Sequence, residues 1–157
     1  MPAPQYTCTS EGAVALSAGV AKTVVGVKAH ANSGLLLCGY TLAFDGVTAS
    51  AVPVVVEVVY ATWATNAPGT ASTATTPRQT SGRVLTAGFT AGKTWTTEPT
   101  VLTALIPEFL LTPNGGAIVY NFPLGTEPDC ALGEGFAVRL TAPAAVNVRG
   151  GVVVSRC

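Results

Sequence analysis

Charge is what this chain has least of. Eight Lys and Arg and eight Asp and Glu in 157 residues make 10% charged residues and a formal net charge of zero, well under the usual quarter. There is no basic run and no Lys/Arg stripe, so the many cations that phosphate neutralisation requires are missing and nucleic acid is excluded as a partner. No apolar run reaches the roughly 18–20 residues of a membrane helix, and no segment has convincing helical amphipathicity. The opening Met1-Pro2-Ala3-Pro4-Gln5-Tyr6 lacks a basic region followed by an apolar one. The expectation is synthesis in a cytoplasm without a secretory leader.

Histidine and paired cysteines are scarce too. The four cysteines, Cys8, Cys38, Cys130 and Cys157, are nowhere spaced as a Cys-x-x-Cys metal or redox motif. Cys38 reads as a buried small hydrophobe within a strand. Cys8 and Cys157 lie near the two ends, which in β-domains are often close. A bridge between them is compatible with that but disfavoured by a reducing compartment.

What is abundant is Ala, Val, Thr and Gly. Hydrophobic residues make up 48% of the chain, with 17 Gly and 11 Pro. Val and Thr are β-branched and suit a pleated surface, while Gly and Pro punctuate. The length suits one domain with a sizeable core. Residues 1 to about 12 read as a loose N-terminal arm, free or reaching a neighbour. Strands are predicted over 23–29, 35–44 (core face Leu36, Cys38, Tyr40, Leu42, Phe44), 53–61 (core face Val52, Val54, Val56, Val58, Tyr60) and, short, over 83–87. Asp45-Gly46 reads as a tight turn. Residues 62–82 form a long Thr/Ala-rich loop, a length that marks function or disorder in a compact domain. Residues 101–111 are apolar but contain Pro107, which assigns them to an edge strand or to two strands around a break. Ala117 to Phe122 alternates, with Ile118, Tyr120 and Phe122 facing in. In the final stretch Phe136, Val138 and Leu140, then Val146, Val148, Val152 and Val154, alternate around Ala142-Pro143-Ala144-Ala145, predicting a β-hairpin with one buried face. The sum is an all-β fold of about eight strands: a two-sheet antiparallel β-sandwich, of jelly-roll type, with an immunoglobulin-like sandwich as the alternative.

No constellation reads as an active site. Gly88-Phe89-Thr90-Ala91-Gly92-Lys93-Thr94 is one residue short of a phosphate-binding Gly-x-x-x-x-Gly-Lys-Thr loop, and Trp95-Thr96-Thr97-Glu98-Pro99 follows where a helix should open. It reads as an ordinary Gly-rich loop. His30, the sole histidine, falls on a polar strand face; Asp45 and Asp129, the only aspartates, sit in turns, and no Gly-x-Ser-x-Gly elbow exists. Glu57, Glu98, Glu108, Glu127 and Glu134 are isolated carboxylates, which read as solvent-facing rather than as a glycosidase pair. Glycan binding without cleavage stays open through Tyr60, Trp63 or Trp95, and Trp63 reads either as an interface anchor or as a strand-end residue covering the core. Arg139 and Arg149, on outward strand faces, are solvated charges or subunit contacts. The reading is therefore of a non-enzyme with no catalytic, cofactor-binding or metal-binding residues.

Three segments carry a resemblance. They are Phe44-Asp45-Gly46-Val47-Thr48-Ala49-Ser50-Ala51-Val52-Pro53-Val54 with Val56-Glu57-Val58, then Phe122-Pro123-Leu124-Gly125-Thr126-Glu127-Pro128, then Phe136 to Val148 with its Thr-Ala-Pro-Ala-Ala-Val-Asn-Val. In that order, over residues 35–155, the chain resembles small structural proteins of tailed bacteriophages. The resemblance implies a virion protein, foremost a decoration (cement) protein on the outer capsid surface. It implies the major capsid protein as partner, self-association as a trimer, synthesis in the host bacterial cytoplasm, and capsid contact through the arm or residues 62–82. A tail, baseplate or receptor-binding module is the alternative.

Overall fold

The computed structural model describes residues 3–45 and 52–157. It is all-β, with thirteen strands: β1 (Gln5–Thr9), β2 (Val14–Leu16), β3 (Ala21–Lys28), β4 (Leu35–Phe44), β5 (Val54–Thr62), β6 (Thr73–Thr75), β7 (Arg78–Ser81), β8 (Thr90–Lys93), β9 (Thr100–Leu111), β10 (Ala117–Asn121), β11 (Asp129–Cys130), β12 (Gly135–Thr141) and β13 (Val146–Arg156). The count exceeds the predicted eight because several strands, such as β6 and β11, are two to four residues long and carry too little sequence for alternation to show.

Two antiparallel sheets form a sandwich. The first sheet runs β10-β4-β13-β1-β7, with β11 also on β4 and β2 also on β13; the second sheet runs β6-β8-β3-β12-β5-β9. Between them lie Val25, Val27, Leu35, Leu37, Val54, Val56, Val58, Phe136, Val138, Leu140, Val152 and Val154, all fully buried. Each such side chain contributes about 1.5–3 kcal/mol over its exposed state.

Five expectations are corrected. β12 and β13 do not form a hairpin: β12 pairs with β3 and β5, and β13 with β4, β1 and β2. The Pro143 segment carries the chain from one sheet to the other. Both connections leave each strand with one inward face, so alternation alone is the same for either. Second, the N-terminal segment is no loose arm from Gln5 onward. β1 is a sheet strand, paired with β13 and β7, and buries Tyr6 and Cys8. Third, residues 62–82 are not one loop, since β6 and β7 lie within them. Fourth, residues 83–87 are not a strand. They cross between the sheets, held by Tyr6 Oη donating to the Leu85 carbonyl at 2.9 Å and Arg156 Nη1 donating to the Thr86 carbonyl at 3.0 Å.

The fifth correction concerns β4. Leu37 pairs with Val154 and Gly39 with Val153, which leaves Cys38 as the extra residue of a bulge. A bulge inverts alternation. Leu35 and Leu37 therefore enter the core ahead of Tyr40, Leu42 and Phe44, while Leu36 and Cys38 are only half-buried. The Asp45-Gly46 turn lies at the limit of the described residues, and 46–51 fall outside them. Pro107 behaves as predicted for an edge. β9 is the last strand of its sheet, and its pairing with β5 shifts register between Val56↔Phe109 and Val58↔Ile106.

Candidate interaction surface

The predicted candidate residues are dispersed and structurally engaged. Trp63 and Trp95 do come together, with ring centroids 5.6 Å apart, but as a buried cluster and not as a ligand platform. They are 4% and 0% exposed, and pack with Val59, Ala61 and Ala137 on the outer face of the second sheet. The loops after β5 and β8 fold back over that face. Trp95 Nε1 donates to the Asn66 carbonyl at 2.8 Å, Asn66 Nδ2 donates to the Glu98 carbonyl at 2.6 Å, and the Glu98 carboxylate accepts from the Thr23 amide at 2.9 Å. Lys22 completes the clasp by donating to the Trp95 carbonyl and pairing with Glu98 at 3.7 Å. Trp63 is thus the strand-end residue covering a small second core. The signal for this was Gly26, the residue beneath both rings, set among the valines of β3.

The other polar candidates have local duties. His30 is exposed in a turn, and its Nδ1 accepts from the Asn32 amide at 3.1 Å. In a Ser-His-Asp arrangement that nitrogen would instead donate to a carboxylate. Glu57 pairs with Arg139 across β5 and β12. Arg149 pairs with Asp45 at 3.3 Å at the surface. Glu127 closes its own turn by accepting from the Gly125 amide at 2.6 Å. The Gly-rich segment 88–94 runs directly into β8, with Phe89 buried edge-on against Tyr6 at 5.3 Å, so no helix N-terminus faces it. Among the described residues no group of three or more His, Cys, Asp or Glu is placed to hold a metal ion. All four thiols are free. Burial pushes Cys8 up to about 12 and Cys130 up to about 11.

The distinctive surface is one flank of the sandwich. The opposite flank ends in β6 and β7, which are short and polar, the usual protection of a sheet edge. This flank ends in β9 and β10, joined by residues 112–116. β9 is twelve residues long and apolar except at Thr100, Thr103 and Glu108. Leu102, Leu110, Val119 and Tyr120 are exposed here, Val119 at 71%. Ile118 and Tyr120 face inward, opposite buried Leu42 and Tyr40 in the register, yet stay partly open to solvent. Phe109 of β9 approaches Tyr40 at 6.4 Å, and Tyr40 stacks on Tyr120 of β10 at 5.5 Å. An aromatic row thus runs from one edge strand to the other and its outer end is uncovered. Alternation predicted that Ile118 and Tyr120 face in. It carried no sign that the facing sheet would leave them open.

No protein-family model, curated protein or solved structure matches the chain.

Proposed function

We propose that this protein is a non-enzymatic structural component of a tailed-phage virion, a decoration protein that binds the outside of the head and cements it. The observation that carries this reading is the uncovered apolar flank of β9 and β10 in a protein with so little surface charge. An open aromatic row and exposed Leu and Val side chains on two edge strands form a surface that another protein would cover. Phage-type segments along residues 35–155 point to which assembly. The major capsid protein is the proposed partner, and association through buried surface requires no catalysis. Burial of Trp63 and Trp95 leaves the glycan-binding version of a tail module only Tyr60, itself partly buried against Phe136 at 5.3 Å, which disfavours that alternative.

The test is the copy number and location of this chain in purified virions, by quantitative gel and electron microscopy. Hundreds of copies on the shell, with particles lacking the protein losing tolerance to heat or low salt, are expected. A few copies on the tail would move the protein to host attachment, and absence from the particle would overturn the virion role.

A further inference from the structure

We infer that β10 is a self-pairing edge: two copies of this chain join antiparallel, β10 to β10, about a two-fold axis at Val119. The pairing does not depend on the virion role.

The backbone sets the register. The Phe44 amide donates to the Gly116 carbonyl at 3.1 Å and the Phe122 amide to the Cys38 carbonyl at 2.9 Å. Residues 116, 118, 120 and 122 therefore turn their N–H and C=O toward β4. By the alternation of antiparallel ladders, Ala117, Val119 and Asn121 turn theirs to the open side. A two-fold at Val119 sets 117 against 121 of the second copy, 119 against 119, and 121 against 117. All three outward-facing residues then exchange bonds, about six in total. Pro123, which has no N–H, and the Gly115-Gly116 turn bound this register at its two ends.

Side chains agree with the backbone. In this register Ile118 faces Tyr120 of the second copy on the inner side, in the closer, non-hydrogen-bonded type of pair. β-branched residues and aromatics favour such a pair. Each inward ring left open in one copy is then covered by the other. β10 carries no charge, and β9 beside it carries only Glu108. No like charges oppose one another, and a strongly charged partner finds no complement. β9 is the poorer edge for strand addition, because its ladder shifts register three times and contains Pro107; the β10–β4 ladder is regular. β10 is five residues long, about 17 Å, so the pairing rests on its backbone bonds and the Ile118–Tyr120 contacts, and it leaves β9, with its exposed Leu102 and Leu110, to the capsid. A two-fold pair also differs from the trimer implied by the resemblance, and mass separates the two.

The test is sedimentation velocity of the full chain across a wide concentration range, with amide hydrogen exchange on the same samples. A species of twice the chain mass is expected. The amides of Ala117, Val119 and Asn121 should become protected as it forms, while those of Ile118 and Tyr120 are protected throughout. Val119→Pro removes an N–H that does not serve the β4 ladder, so it should raise the dimer dissociation constant about tenfold to hundredfold. Val119→Lys, which sets two ammonium groups face to face, should also raise it. A chain that stays monomeric or forms trimers overturns the pairing. So does a dimer whose 117, 119 and 121 amides exchange freely, or one that both variants leave equally tight. Where a variant does not fold, the three amides of the unsubstituted chain decide.

Discussion

Trp63 and Trp95 meet 5.6 Å apart over the missing side chain of Gly26. A Cβ at Gly26 would stand 2.8 Å from Trp63 Cη2 and 2.9 Å from Trp95 Cη2, inside any real contact distance. Gly26→Ala should therefore force the rings outward and cost about 1–3 kcal/mol, as overpacking does. Denaturant unfolding followed by tryptophan emission measures it. A variant as stable as the parent would mean that the rings do not lie against β3. Added oligosaccharides should leave the emission of both buried indoles unchanged.

Removing the indole itself should cost more. Trp95→Ala loses a fully buried ring and leaves the Asn66 carbonyl without its donor, for about 3–5 kcal/mol. Trp95→Phe keeps most of the ring but orphans that carbonyl, for about 1–3 kcal/mol. The order Ala over Phe, read from unfolding midpoints at constant slope, is the expected result.

The four thiols should separate by accessibility. Cys157 is exposed, Cys38 is half-buried beside Gln5, and Cys8 and Cys130 are buried. An aromatic disulfide reagent should titrate one thiol quickly, a second slowly, and the last two only after unfolding. Rapid modification of Cys8 in the native protein would contradict the placement of β1 inside the sheet.

Alkaline pH should destabilise the fold through the same buried thiols. Burial holds Cys8 up to about 12 in the native state, against an ordinary value of 9.0. The unfolded chain therefore releases its proton first. Stability from this group is complete below about pH 9 and falls by about 1.4 kcal/mol per pH unit up to about pH 12. Cys130 acts in the same direction over a narrower window, since it rises to about 11. Cys8→Ala should flatten the decline in a pH series of unfolding midpoints.

The two outward arginines should differ in worth. Arg139 and Glu57 are 28% and 14% exposed at their side chains, whereas Arg149 and Asp45 are 62% and 39% exposed. Arg139→Ala should cost about 1–2 kcal/mol, since it leaves a partly buried carboxylate without its charged donor. Arg149→Ala should cost about 0–0.5 kcal/mol, as exposed pairs do, and added salt should remove even that. Equal losses at the two sites would contradict this ranking.

The sequence by itself determined that the chain is β and which way most side chains point. Val- and Thr-rich alternation in 53–61 and 136–140 names a core face wherever the ladder is regular, because a strand's side chains alternate whatever its neighbour. Pro107 likewise marked an edge, since it removes a ladder donor. Periodicity carries no record of which sheet a strand joins, so only the tertiary structure decided that β12 and β13 part company at Pro143. A single extra residue inverts the pattern, so the bulge at Cys38 exchanged Leu36 for Leu35 and Leu37. Burial of the two tryptophans required the loops that follow β5 and β8 to meet over Gly26, a long-range contact. The open flank of β9 and β10 is likewise a property of how far one sheet extends over the other.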